Sequence, residues 1–227
     1  MSRTAPPPSR WVFPPVHDAD PDGPVVLGGD LEPGTLLGAY QSGLFPMPVG
    51  RRRIGWWSPD PRAVIPVGPS ALATGTGLHV SRSLRRSLPL FTATVDHDFE
   101  AVMRACGDPS RPHGWITDEF VRAFVRLHEL GWAHSVEIWE DGSLVGGVYG
   151  VSIGAFFAGE SMFHRSTDAS KAALVHLTGL FDHVEHALFD VQWLTPHLAS
   201  LGAVEIDRSQ YLDQLAIAVA QPVDPFA

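Results

Sequence analysis

Residues 134–165, HSVEIWEDGSLVGGVYGVSIGAFFAGESMFHR, decide how the rest of the chain is organised. The stretch reads as a β-meander. Val136, Ile138 and Leu144 belong to two strands joined by Asp141-Gly142, a pair suited to the left-handed backbone of a tight hairpin. A second turn at Ser152-Ile153-Gly154 returns the chain through Ala155-Phe156-Phe157-Ala158, and that strand delivers Glu160 immediately after Gly159. A carboxylate inside an apolar run costs several kcal/mol unless something bonds it. Glu160 is therefore either paired within the fold or placed for a ligand. Glycines at 146, 147, 150, 154 and 159 mark bulges or places where another backbone comes close.

The chain has 227 residues, 44% hydrophobic and 18% charged, which suits one large domain or two unequal ones with a real core. Its single cysteine, Cys106, excludes an internal disulfide and a thiolate zinc site and fits a reducing compartment, so a cytoplasmic location is expected. The N-terminal MSRTAPPPSR has no apolar signal core, and no apolar run reaches the length of a membrane span; neither secretion nor membrane insertion is expected. A net charge of −9 argues at first against a nucleic-acid partner. Its distribution reverses that. Residues 51–126 hold 11 of the 16 basic groups against 7 acidic ones, whereas the remainder holds 5 against 18. Such segregation permits an anionic ligand at one face of an acidic protein.

Residues 1–25, rich in Pro and Asp, read as an extended strap. A short helix follows Leu27-Gly28-Gly29-Asp30, with Asp30 as its cap, Pro33 in its first turn and Gly43 at its end. The segment from Phe45-Pro46-Met47-Pro48 through Arg51-Arg52-Arg53 to Trp56-Trp57-Ser58-Pro59-Asp60-Pro61-Arg62 reads as a small irregular domain leading into a strand over 63–66. Residues 68–77 read as a loop. From Leu78 the pattern becomes regular: a basic helix at Ser81–Arg86, a strand at Phe91–Val95, a helix capped by Asp98, and a helix carrying Phe120, Phe124 and Leu127. After the meander come a helix over 168–187, a strand at Leu188–Trp193, a short helix from Thr195-Pro196, and a final helix over 209–219 with Asp207 and Gln210 as a capping box. This order is that of an α+β protein whose second part, residues 67–227, is an acetyltransferase-like mixed sheet flanked by helices, preceded by a small N-terminal domain over 1–66.

Alternation puts Asp190 and Gln192 on one face of their strand. If Glu160 emerges from a neighbouring strand, three polar groups converge on a pocket walled by Phe157, Leu174, Leu177 and Phe181. A mostly apolar hollow with few polar groups is the usual form of a small-ligand site. A carboxylate and amide that orient an amine suffice for acyl transfer, because an α-amino group with a pKa of about 8 needs little help to lose its proton. The loop His164–Ser170 lacks the glycines of a pyrophosphate cradle, which argues against a CoA donor. No Walker, GxGxxG or HExxH motif occurs, and His176, His183 and His186 lack the spacing and carboxylates of a metal site.

Taken in order, a series of short blocks resembles the leucyl/phenylalanyl-tRNA–protein transferase family. They include Leu27-Gly28-Gly29-Asp30-Leu31, Phe45-Pro46, Trp56-Trp57-Ser58-Pro59-Asp60-Pro61-Arg62, Ser81-Arg82-Ser83, Trp115-Ile116-Thr117, Gly146-Gly147-Val148-Tyr149-Gly150, Gly159-Glu160-Ser161-Met162-Phe163 and Ala199-Ser200-Leu201-Gly202-Ala203. The resemblance implies a cytosolic, monomeric enzyme with a GNAT-like domain that uses no cofactor or metal. It would move Leu or Phe, and Met, from aminoacyl-tRNA to proteins with N-terminal Arg or Lys, marking them for N-degron degradation. By the same resemblance, Asp190 and Gln192 form the relay that activates the amine, and Glu160 holds an amino group of the reacting end. Val148, Phe157, Leu174, Leu177, Phe181 and Phe189 line the side-chain pocket; Tyr40, Met47 and Trp115 flank the terminal adenosine; Arg82, Arg85 and Arg86 face the acceptor stem. Met47, Phe124 and Phe189 depart from the family pattern. The alternatives are an acetyltransferase-like enzyme with another acyl donor, and a non-enzymatic binder of peptide N-termini or RNA.

Overall fold

A computed structural model describes residues 3–50, 53–111 and 114–227. Arg51 and Arg52 of the basic run lie outside the described residues. The chain forms two sheets. In the first, β1 (Pro24–Leu27), β3 (Arg53–Trp57) and β2 (Phe45–Val49) lie in the order β1-β3-β2, with α1 (Pro33–Gln41) between β1 and β2. Sequence reading expected this stretch to be irregular. It is an antiparallel hairpin whose prolines, Pro46 and Pro48, sit on the edge strand β2, where a missing N–H breaks no ladder. The α1 N-cap is Glu32 rather than Asp30; Asp30 accepts the Glu32 backbone N–H at 3.1 Å and the Trp11 indole N–H at 2.8 Å.

The second sheet has seven strands. They are β4 (Arg62–Ile65), β5 (Thr92–Val95), β6 (Ala133–Glu140), β7 (Ser143–Ile153), β8 (Phe156–His164), β9 (Leu188–Gln192) and β10 (Val204–Ile206), in the order β10-β4-β9-β8-β7-β6-β5. All neighbours are antiparallel except β8 and β9. The meander is present as expected, and Asp141 (φ 49°) with Gly142 (φ 74°) makes the tight turn. β4, which a division at residue 66 assigns to the small domain, is instead an inner strand of the larger sheet, and β10 went unread. At 3 residues β10 is too short to show a period, and the strand read over 63–66 carries no mark of which sheet it joins.

The helices flanking this sheet are α2 (Gly68–Thr74), α3 (Arg82–Ser87), α4 (Phe99–Cys106), α5 (Asp118–Glu129), α6 (Ala169–Gly179), α7 (Pro196–Ser200) and α8 (Arg208–Val219). α2 replaces the expected loop. α6 stops at Gly179, well short of 187, and the chain turns through Phe181–Val184 before β9. Asp207 makes no side-chain cap for α8; the first N–H of that helix is taken by Asp60 Oδ1 at 3.0 Å. None of the helices described is long and apolar enough to cross a membrane.

Apolar side chains fill both faces. Val136, Ile138, Val148, Phe157 and Phe189 pack beneath α6, against Ala173, Leu174, Leu177 and Phe181. Tyr149, Val151, Ala158 and Phe163 pack on the other face with α4 and α5, through Phe99, Met103, Phe120 and Phe124. α6 lies close to β7 because Gly146 has no side chain: a Cβ there would stand 2.6 Å from the Ala169 Cβ. Gly146→Ala is therefore expected to force α6 off the sheet and cost about 1–3 kcal/mol. Urea unfolding checks this; an unchanged midpoint would mean that the helix has slack.

Candidate active site

The site is built where β8 and β9 part. Their parallel pairing runs through Phe156–Leu188, Phe157–Phe189 and Ala158–Asp190 and ends there. Beyond that point β8 stays with β7 and β9 stays with β4. Each strand also breaks its alternation at the parting. On β8, Tyr149 pairs with Ser161 and Gly150 with Gly159, so Glu160 is the extra residue of a bulge. On β9, Gln192 has φ 61° and the Trp193 N–H donates to the Val191 carbonyl at 2.8 Å, a tight γ-turn of the strained hand. Bulge and turn swing the Glu160 and Gln192 side chains toward one another's cavities.

Two cavities meet there, sharing Glu160, Ser161 and Gln192. The smaller, about 120 Å³, is apolar and lined by Val148, Met162, Leu174, Phe189, Val191 and Leu198. The larger, about 420 Å³, lies under the N-terminal hairpin and is lined by Phe45, Met47, Arg111, Trp115 and Trp193. Its size falls within the usual range of small-ligand sites. At the junction four buried polar atoms have no hydrogen-bond partner among the described residues: Tyr40 Oη, Tyr149 Oη, Glu160 Oε1 and Gln192 Nε2. Buried groups of this kind are rare because each carries the full cost of its lost hydration. Another cavity of about 410 Å³, beneath the strap at residues 4–10, has no such atom in its lining.

The expected partnership of Asp190 and Gln192 is corrected. Asp190 lines neither cavity, faces away from the smaller one and is wholly buried. Arg62 grips it with two hydrogen bonds, Nε to Oδ1 at 2.8 Å and Nη2 to Oδ2 at 2.6 Å, and the Tyr211 hydroxyl donates to Oδ2 at 3.0 Å. The remaining bond is from the Gln192 backbone N–H at 2.9 Å. Asp190 therefore holds the γ-turn through the main chain and has no link to the Gln192 amide. Strict alternation failed because a residue at φ 61° leaves the pleat. The Arg62 guanidinium lies between the rings of Phe45 (4.8 Å) and Tyr211 (4.4 Å) and donates to the Gly43 carbonyl at 3.2 Å. Burial alone would lower the Arg62 pKa; the Asp190 carboxylate more than reverses this and holds it above its ordinary value.

Glu160 is free to act. Burial, the largest influence, pushes its carboxyl up to about 8; the nearby Tyr40 hydroxyl lowers it, Asp190 raises it further and Arg62 lowers it. The Tyr40 hydroxyl is near enough to be felt, but completes no hydrogen bond. Cys106 borders the larger cavity, yet burial drives its thiol up to about 12, so it is no thiolate nucleophile.

The other expected residues divide. Val148, Leu174 and Phe189 line the smaller cavity; Phe157, Leu177 and Phe181 form the packed layer behind it. Met47 and Trp115 border the larger cavity, whereas Tyr40 is buried with its hydroxyl beside Glu160 and has no ring face free for stacking. Phe124 is core, edge-on to Tyr149. Arg82, Arg85 and Arg86 are exposed on α3, and none makes an ion pair among the described residues. Sequence reading missed Arg62, Tyr149, Met162, Trp193 and Tyr211. Tyr149 gives a signal, a hydroxyl in an apolar strand; Trp193 follows a turn and Tyr211 sits on a helix whose pattern assigns no direction, while Arg62 and Met162 open or follow irregular points of their strands, where alternation is no guide.

A family model described as leucyl/phenylalanyl-tRNA protein transferase matches residues 72–216, and one for the N-terminal domain of that transferase matches residues 29–60. Proteins named leucyl/phenylalanyl-tRNA–protein transferase are similar over most of the chain. The one from Aromatoleum aromaticum is 48% identical over 210 residues, covering 90% of this chain and 85% of the relative. The one from Paramagnetospirillum magneticum is 49% identical over 192 residues, covering 82% and 88%. Among solved structures, a GCN5-related N-acetyltransferase-like protein from Streptococcus suis aligns at 13% identity over 64% of this chain and 58% of its own, with a TM-score of 0.32. At that score the fold class rests on the strand order above.

Two outcomes are expected. Because the Glu160 carboxyl rises from 4.5 to about 8 on folding, the unfolded chain gives up that proton more readily, and stability falls as pH climbs through this window. Glu160→Gln should therefore melt above the wild type at pH 8.5 and with it near pH 4; a pH-independent difference would refute the shift. Arg62→Leu strands a buried carboxylate and should cost about 3–5 kcal/mol in chemical denaturation. A loss below 1 kcal/mol would show that the pair is not the tie described.

Proposed function

The chain belongs to the leucyl/phenylalanyl-tRNA–protein transferase family of aminoacyltransferases, and from that premise we propose that it moves Leu, Phe and Met from aminoacyl-tRNA to the α-amino group of proteins beginning with Arg or Lys. The observation that carries this reading is the junction of unequal cavities around unpartnered polar atoms. An aminoacyl ester has the same two-part shape. Its apolar side chain suits the smaller cavity, and its terminal adenosine suits the larger one, where Trp115 and Trp193 offer ring faces for stacking. The exposed arginines of α3 would take the phosphates of the acceptor stem.

The reaction is then a single displacement. The acceptor nitrogen attacks the ester carbonyl, the C–N bond forms, and the bond from carbon to the ribose oxygen breaks. Glu160 takes the proton that the amine loses and passes one to the departing ribose oxygen. Its pKa of about 8 lies close to the α-amino value of about 8, so neither transfer is steeply uphill. The Gln192 Nε2, an unused donor, would bond the carbonyl oxygen as charge gathers on it. Asp190 and Arg62 are positioning residues that hold the Gln192 turn. The ester supplies the driving force, so the reading needs no cofactor. The product, with Leu or Phe at its N-terminus, would be a cytoplasmic degradation mark.

The test supplies tRNA charged with radiolabelled Leu, Phe or Met, and peptides that begin with Arg, Lys or Ala. Label is expected on the Arg and Lys peptides and not on their N-acetylated forms. No transfer, with folded protein and charged tRNA intact, would favour a non-enzymatic binder; transfer from acyl-CoA instead would favour the other donor. Glu160→Gln should lower kcat about 100-fold with a near-normal KM for tRNA. The triple variant Arg82→Ala, Arg85→Ala, Arg86→Ala should raise that KM, with a shallower salt dependence than wild type. Equal effects of both changes on kcat and KM would refute the division of roles.

A further inference from the structure

The tail after α8 runs beyond residue 216, where the family match ends, and its penultimate residue is packed into the layer behind the smaller cavity. The half-buried Phe226 ring stacks on His134 at 4.1 Å and lies 5.6 Å from Phe157 and 6.3 Å from Phe181. Phe157 in turn meets Phe189 edge-on at 5.4 Å, and Phe189 is a wall of the cavity. Three rings thus stand in series from the chain terminus to the cavity. Phe157 has no room to give sideways, since it is pressed on the bare backbone of Gly150 and flanked by Phe181. The tail is tied in place: Asp224 accepts from the Phe226 N–H at 3.1 Å and pairs with Arg3 at 3.1 Å, and Arg3 also donates to Ser152 Oγ at 3.0 Å.

We infer that Phe226 is a positioning residue for specificity, which sets the depth of the amino-acid cavity by holding Phe157, and through it Phe189, against the cavity's inner end. The inference rests on the aminoacyl reading of that cavity. With Phe226 in place the space is about 120 Å³, short and suited to a branched side chain. Removing the ring leaves a void that packed neighbours relax into. Phe157 and Phe189 would retreat and lengthen the cavity, which favours the longer, flat phenylalanine over leucine.

The experiment measures kcat/KM of the full-length enzyme with Phe-tRNA and Leu-tRNA in competition. Phe226→Ala should raise the Phe-to-Leu ratio roughly tenfold, about what one methylene of added room is worth in an apolar pocket. Phe226→Leu should keep most of the wild-type ratio. Asp224→Ala, which loosens the tail without touching a cavity wall, should move the ratio the same way by less, and it decides the matter if Phe226→Ala fails to fold. An unchanged ratio in folded variants, or an equal loss for both substrates, would overturn the inference. Wild-type protein that transfers neither amino acid would instead remove the aminoacyl reading, and the inference with it.

Discussion

The buried pair of Arg62 and Asp190 is the tie on which the site depends. Arg62 comes from the start of β4, Asp190 from the neighbouring strand that edges the site, Tyr211 from the last long helix, and Phe45 and Gly43 from the N-terminal unit. Charges taken out of water are costly, and such a pair stabilises only if nearly every donor and acceptor is used. Here both carboxylate oxygens and most of the guanidinium fork are occupied. The gain is in geometry more than in energy. One planar group fixes the distance between the hairpin that roofs the larger cavity and the strand that forms its floor.

The same pair sustains local strain. A non-glycine residue with positive φ costs on the order of 1–3 kcal/mol and persists only where its surroundings over-determine it. At Gln192 the surroundings are the Asp190 carboxylate on its N–H and the β4 strand alongside. The bulge that frees Glu160 is the matching irregularity on β8. Neither defect serves the sheet. Together they place a carboxyl group and an amide in the gap between two parallel strands, both unpaired and both partly withdrawn from water. Stability is given up there, and the raised Glu160 pKa is the visible sign.

The aromatic residues fall into two populations with different work. Phe45, Trp57 and Trp193 meet edge-on at 4.9 and 5.9 Å beside the larger cavity, where the Trp193 ring stays exposed. Phe157, Phe181, Phe189 and Phe226 pack against one another beneath α6, and only Phe189 reaches a cavity. A residue behind a wall shapes a pocket without touching its contents, because packed interiors transmit displacement. Composition and motif cannot separate the two populations.

Much of the architecture was set by local chemistry alone. Asp141-Gly142 dictated a hairpin, Asp98, Thr117 and Thr195 capped their helices, and the apolar periods of α4 and α5 located a core. The glycine-flanked Glu160 announced a carboxylate in an apolar strand, and the run of short motifs pointed to the family. Direction was the part left to tertiary structure. Alternation puts Asp190 and Gln192 on one face, and only the packed fold, with Arg62 on the adjoining strand β4, shows Asp190 turned away from the smaller cavity that Gln192 lines. Phe157 and Phe181 likewise read as pocket walls but lie in the packed layer behind the cavity, where a tail that no pattern connects to them packs against them. Periodicity reports which side of its own element a residue occupies; it is silent about what other elements bring to that side.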